Sequence, residues 1–218
     1  MSSDGFLKRL VARGAAAGID LSPSLATRLE SYYRLLAHWN ASINLTALPL
    51  DPLTDNALDR LLIEPLAAAR CFSPSGPAPI WFDLGSGGGS PAIPLKLARP
   101  STRLTMVESR ERKAAFLREA IRVLELEGSA VEASRIEAVA TGHPLAGSVD
   151  LITVRAVRID PSLFGSIREL LSVRGRIVLF GAKRMDLSIP RDFEFIDGPP
   201  AAVGEAPQKV ILLRRASS

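Results

Sequence analysis

Apolar residues change their spacing once along this chain, across residues 72–79, and the change separates a helical part from an alternating one. Behind Ser22-Pro23, an N-cap residue followed by a proline suited to the first helical position, Leu25, Leu29, Tyr32, Tyr33 and Leu36 recur at helical intervals. A second helix is expected after Asp51-Pro52, with Leu58, Leu61, Leu62 and Leu66 turned inward. The Ser-, Pro- and Gly-rich stretch 72–79 reads as a boundary. Beyond it, short apolar runs predict strands at 80–82, 103–107, 129–133, 149–154 and 176–180. Helices are expected between them at 91–98, at 110–126 with Leu117, Ala120, Ile121 and Leu124 on one face, and from 161 to 171 behind the Asp160-Pro161 cap. Residues 193–196 and 210–213 form two further strands with no helix between them, which predicts a terminal antiparallel hairpin. Strands alternating with helices require a mostly parallel sheet covered on both faces. The expected fold is α/β and Rossmann-like, with a mostly parallel seven-stranded sheet. Residues 1–72 form a helical N-terminal extension, packed as one compact unit with a ligand-binding domain at 78–218.

Composition narrows the class without deciding it. The 218 residues suit one sizeable domain, and 47% apolar with 23% charged residues is the balance of a globular protein. No apolar run approaches the roughly 18 to 20 residues of a membrane helix. The first 21 residues mix Asp4, Lys8, Arg9 and Arg13 with short apolar pieces, unlike a secretory leader, so no membrane association and a cytoplasmic location are expected. Cys71 is the single cysteine, so neither an internal disulfide nor a cysteine-based zinc site can form. His38 and His143 stand outside any zinc-binding spacing, and no metal is expected. The net charge is +4, and arginine outnumbers lysine. Arginine suits bidentate phosphate contacts, although this excess by itself does not establish them.

The candidate chemistry begins at Asp83-Leu84-Gly85-Ser86-Gly87-Gly88-Gly89, between the first predicted strand and its helix. Glycines there let the backbone turn sharply and approach a ligand beside a helix N-terminus. Gly87-x-Gly89-x-x-Ala92 also satisfies the dinucleotide fingerprint, so the loop alone leaves the ligand open. Three features favour S-adenosylmethionine over a nicotinamide dinucleotide. Asp83, just before the loop, would repel a pyrophosphate but favour an ammonium and a sulfonium. Glu108 ends the next strand, where an acid can accept ribose hydroxyls. The terminal hairpin replaces the second mononucleotide-binding half of a dinucleotide fold.

With these residues in place, the chain resembles the small-subunit ribosomal RNA methyltransferase G family, also called GidB, over roughly residues 7–215. The most specific matches are Leu35-Leu36-Ala37-His38-Trp39-Asn40 and Ile43-Asn44-Leu45-Thr46. The glycine loop through Ser90-Pro91, Glu108-Ser109, Arg112-Lys113, Phe116-Leu117, Ser134-Arg135-Ile136-Glu137 and Arg155-Ala156 add to them. The resemblance implies a class I methyltransferase acting on N7 of a guanine in 16S rRNA, with S-adenosylmethionine as cofactor. It implies cofactor contacts from Gly85, Ser90, Glu108, Ile136, Glu137 and Arg155, in addition to Asp83, Gly87 and Gly89 of the loop. Ile136 and Glu137 would sit near the adenine, Arg155 near the transferred methyl, and Asn44 would position the substrate. Each has a plainer reading: Ile136 as core, Arg155 as a structural ion-pair partner, Asn44 as a turn residue. The chain departs from the family pattern at Leu61, Pro65, Val154 and Gly181. These departures leave room for a divergent member acting on a small molecule or another nucleic acid, or for an inactive cofactor- and RNA-binding protein.

The expected partner is ribosomal RNA or the small ribosomal subunit, engaged by a monomer. Arg60, Lys113, Arg155, Lys183 and Arg184 are the candidate RNA contacts, with Arg110, Arg112 and Arg118 extending the track. There is no Asn-Pro-Pro-Tyr-like segment of the kind used at adenine N6. Cys71 lacks the Pro-Cys context of cytosine C5 chemistry.

Overall fold

The computed structural model describes residues 2–69, 78–182, 187–196 and 210–216. The expected boundary at 72–79 lies largely outside them, as do Lys183 and Arg184. The N-terminal part begins with α1 (Ser3–Ala16), where the Ser2 hydroxyl caps Gly5 N–H and Phe6, Leu10 and Gly14 are buried. In α2 (Pro23–Asn40), Ser22 caps Leu25 N–H as its sequence predicts, and Ala26, Leu29, Tyr32, Tyr33 and Leu36 are buried. Phe6 packs against Tyr33 with ring centroids 5.1 Å apart, closing α1 onto α2.

The next helix starts later than expected. Asp51 and Pro52 stay in a turn, and Thr54 caps α3 (Asp55–Leu58) by accepting from Ala57 N–H. The helix then widens into a π turn over Asp59–Ile63 before resuming as α4 (Glu64–Ala68). Leu58, Leu61, Leu62 and Leu66 are all buried.

The second part holds β1 (Ile80–Leu84), α5 (Ala92–Ala98), β2 (Arg103–Val107), α6 (Glu111–Val123) and β3 (Ser129–Glu132). A short α7 (Ile136–Ala140), which no apolar periodicity announces, precedes β4 (Val149–Arg155) and α8 (Pro161–Leu170), whose cap is the Asp160 carboxylate. β5 (Leu171–Phe180) begins five residues earlier than the apolar run suggests, because its first residues pair with Val149 across a bulge. β6 (Phe193–Ile196) and β7 (Val210–Arg215) complete a seven-stranded sheet of order β3-β2-β1-β4-β5-β7-β6. The first five strands run parallel, and β7 is antiparallel to both β5 and β6.

Strand side chains alternate between the two faces of the sheet. Trp81, Leu151, Val178, Phe180 and Leu212 join one core together with α1, α2, α4, α5 and α6. Phe82, Leu84, Ile152, Val154, Leu179 and Leu213 join a second core under α7 and α8. The N-terminal helices and the sheet therefore share one apolar cluster, running from Phe6 to Leu212. The same alternation puts Asp83, Thr153 and Arg155 on the Trp81 face, under the N-terminal helices.

Candidate active site

A cavity of about 590 Å3 opens beyond the carboxyl ends of β1, β2 and β4. Strand order reverses between β1 and β4, the crevice where open α/β sheets bind their ligands. The wall nearest the sheet is the loop after β1. Gly85 turns there with φ +75°, and a Cβ on it would meet Val157 Cγ2 at 2.4 Å, so only glycine fits. Gly87 N–H donates to Glu108 Oε2 at 2.9 Å, and Arg110 N–H donates to Oε1 at 2.8 Å. Glu108 is thus a buried carboxylate aimed by two backbone donors. An ionised carboxylate has about four acceptor positions, so roughly two remain for ligand hydroxyls. Close backbone approach at the glycines and a buried acid at the next strand end fit the ribose of S-adenosylmethionine.

Asp83 lies outside this lining. Its side chain points down the Trp81 face, where Trp81 Nε1–H donates to Thr153 Oγ1 at 2.9 Å and the Thr153 hydroxyl donates to Asp83 Oδ1. Burial pushes the carboxyl up to about 6, against the opposing pull of hydrogen bonds from Thr153 and Ser86 and of the Arg155 charge. Because the folded-state pKa lies above the unfolded one, the stability tied to this group is complete below about pH 4. It is lost as pH rises through about 6. Melting curves should therefore separate wild type from Asp83→Asn. Between about pH 4 and pH 7 the wild type should lose roughly 3 kcal/mol relative to the variant. Parallel pH profiles would refute this.

On the opposite wall, backbone and side chains meet at the π turn. Pro65 has no N–H, so Leu61, four residues back, loses its helical donor. Glu64 N–H bonds to Asp59 O, which leaves the Arg60 carbonyl free as well. Ser90 Oγ donates to Leu61 O at 2.8 Å, and the Arg155 guanidinium donates to Arg60 O. Arg155 also donates to Ser90 Oγ at 3.2 Å and to Glu64 Oε2 at 2.7 Å, and lies 4.6 Å from the centroid of the Phe180 ring. Glu64 is buried and Arg155 largely so, with side chains 5% and 12% exposed. Burial pulls the Arg155 pKa down, and Glu64 opposes that pull. Arg60 Nε, half exposed at the cavity rim, lies 3.8 Å from the same Glu64 oxygen.

The third wall is the loop after α2. Asn40 Oδ1 accepts from both Leu45 N–H and Thr46 N–H at 2.9 Å, and this bends the chain so that Asn44 lines the cavity while staying exposed. Tyr32, fully buried, donates its hydroxyl to Gly88 O at 2.7 Å and ties α2 to the glycine loop.

Of the residues named from sequence, Asn44, Arg60, Gly85, Gly87, Ser90, Glu108, Lys113 and Arg155 come together around this cavity. Gly89 is buried below the loop against Ile93. Ile136 and Glu137 open α7, outside the lining. Ile136 packs on the second core, and Glu137 accepts from Ser162 Oγ at 3.5 Å. Glu64, Tyr32 and Asn40 were not singled out, though all three hold the walls. Asn40 stood in the quoted motif, and a glutamate preceding a proline inside an apolar run was the available signal for Glu64. Among the described residues no group of three or more His, Cys, Asp or Glu could hold a metal ion, and no helix is long and apolar enough to cross a membrane.

Sheet order, antiparallel edge and cavity position together define a Rossmann-like methyltransferase. Within that class the chain belongs to the GidB family, rRNA small subunit methyltransferase G, whose sequence profile matches residues 25–189. The ribosomal RNA small subunit methyltransferase G of Xanthomonas axonopodis is 35% identical over 189 residues, covering 85% of this chain and 80% of that protein. The protein of the same name from Stenotrophomonas maltophilia is 39% identical over 168 residues, 73% of each. Among solved structures, TrmN from Thermus thermophilus superposes with TM-score 0.53 at 15% identity, over 71% of this chain and 48% of that one. A Corynebacterium glutamicum protein gives TM-score 0.56 at 12% identity, over 86% and 91%. These two likenesses show the shared fold.

Proposed function

We propose that this chain methylates N7 of a guanine in 16S ribosomal RNA, working as a cytoplasmic monomer with S-adenosylmethionine as methyl donor. The observation that carries the reading is the composition of the cavity wall. Among the described residues Glu108 is its single acid and none is a histidine, and its rim is basic through Arg60, Arg110 and Lys113. When bound, the cofactor supplies an electrophilic methyl carbon whose bond to sulfur breaks as the nucleophile's bond forms. Guanine N7 already offers a lone pair, so no side chain has to remove a proton. The residues then act by holding both partners in line, which can contribute several kcal/mol or more.

In this assignment Glu108 accepts the ribose hydroxyls through its free lone pairs, and Gly85, Gly87 and Ser90 border the donor. Ile136 and Glu137 are assigned to the adenine end, as the family pattern implies. Arg155 is assigned to the transfer site and Asn44 to orienting the base, readings that their positions on the cavity wall support. Arg60 and Lys113 meet phosphates, with Lys183 and Arg184 assigned to the same track.

The test is methylation of small ribosomal subunits followed by mass mapping of the modified base. One N7-methylguanine is expected, and tight cofactor binding without labelled RNA would refute the assignment. Affinity for RNA should fall steeply as salt rises, and Arg60→Gln or Lys113→Gln should each reduce the slope of log affinity against log salt by about one. A flat salt response would count against RNA as the substrate.

A further inference from the structure

A second pocket of about 320 Å3 lies beside the first, lined by His38, Trp39, Ser42, Ile43, Arg112 and Ala115. Two segments form walls of both. Ser42 and Ile43 run directly into Asn44–Leu48 of the main cavity, and Arg112 sits in α6 between Arg110 and Lys113 of its rim. The pocket has an apolar floor and a polar mouth. Ile43, Ala115 and the half-buried Trp39 supply the floor, with Trp39 held edge-on by Phe116 at 5.8 Å between ring centroids. His38 and Arg112 are exposed. Arg112 makes one long contact, to Ser42 O at 3.4 Å, and has no ion-pair partner among the described residues, so most of its five N–H donors face solvent.

An indole and an imidazole beside an unpaired guanidinium, in a pocket of this size, match one unstacked nucleobase and its phosphate. Bases of single-stranded RNA are held by such stacking surfaces, while the backbone follows cationic side chains. The positive mouth disfavours an apolar protein segment and continues the basic rim of the main cavity. We infer that this pocket receives an unpaired base of the RNA strand, flanking the nucleotide in the main cavity, with its phosphate on Arg112. The inference rests on the assignment of RNA as the substrate.

Trp39 is also the reporter, because the chain's other tryptophan, Trp81, is 1% exposed. The probes are a short single-stranded oligoribonucleotide of mixed sequence and an abasic strand of equal length and charge, each titrated while Trp39 emission is followed. The base-bearing strand should quench the emission and bind about tenfold tighter than the abasic one, the expected gain from one stacked base. Trp39→Phe should remove the quench. Ala115→Leu, which fills the pocket with a good helix former, should weaken the base-bearing strand about tenfold and leave the abasic strand and the affinity for S-adenosylmethionine unchanged. Equal binding of both strands to wild type, or no effect of Ala115→Leu, overturns the pocket assignment while RNA remains the substrate; the latter result is also what a pocket for a protein side chain would give. If neither strand binds while small ribosomal subunits are still methylated, the pocket assignment falls alone; if the subunits are not methylated either, the RNA assignment falls and this inference falls with it.

Discussion

Glu64→Ala is expected to destabilise the folded chain by about 3 to 5 kcal/mol, the usual cost of leaving a buried charge without its partner. Arg155 would lose its 2.7 Å bond while still largely shielded from solvent, and its buried Nε already has no hydrogen-bond partner among the described residues. The melting temperature should drop on the order of 10 °C. Replacing both partners with apolar residues, as in Glu64→Leu with Arg155→Met, should recover most of that loss, because the desolvation of both charges disappears with them. Methyl transfer should not recover. That split distinguishes a guanidinium needed at the transfer site from one that only fastens the helix. A double variant that melts like wild type and is fully active would assign Arg155 to structure alone.

The second large effect is at the glycine loop. Gly85→Ala adds a methyl 2.4 Å from Val157 Cγ2 at a backbone angle of φ +75°. The left-handed conformation and the overpacking together should cost about 2 to 5 kcal/mol. Gly87→Ala is the informative contrast. Its φ is +52°, but an added Cβ would meet nothing nearer than Gly85 O at 3.8 Å. It should lose only about 1 to 2 kcal/mol of stability, yet put a methyl on a residue that lines the cavity and weaken cofactor binding. Thermal melts paired with calorimetric cofactor titration would check both. Equal losses of stability in the two variants would contradict the packing argument.

Much of the fold was legible because strand and helix periods are local. The strands at 103–107 and 193–196 end where their apolar runs end, and the Ser22-Pro23 and Asp160-Pro161 caps start α2 and α8. The start of α3 was misjudged because a proline after an acid looks like a helix opening, whereas the cap is Thr54. The π turn was not legible at all. Widening a helix by one residue leaves Leu58, Leu61, Leu62 and Leu66 on the buried side, so the apolar pattern looks the same either way.

Site residues divide by the same logic. Glu108 and the glycine loop follow strand ends and so could be placed in advance. The orientation of Asp83 depends on side-chain alternation within a strand flanked on both sides, where apolar residues point both ways and hide the parity. The bond from Tyr32 to Gly88 spans 56 residues and has no sequence signature.

The row Trp81–Thr153–Asp83 has a further consequence. One end is a buried indole N–H, and the other is a carboxyl whose proton comes and goes at about pH 6. The Thr153 hydroxyl joins them, accepting from the indole and donating to the acid. When the acid gains its own proton it becomes a weaker acceptor, so the Thr153 bond to it weakens and the indole bond to the same hydroxyl shifts with it. The chain has only two indoles, so the Trp81 N–H resonance can be identified by substituting the other. Its chemical shift then reads the ionisation of an otherwise silent buried acid directly, with no ligand, substrate or label added.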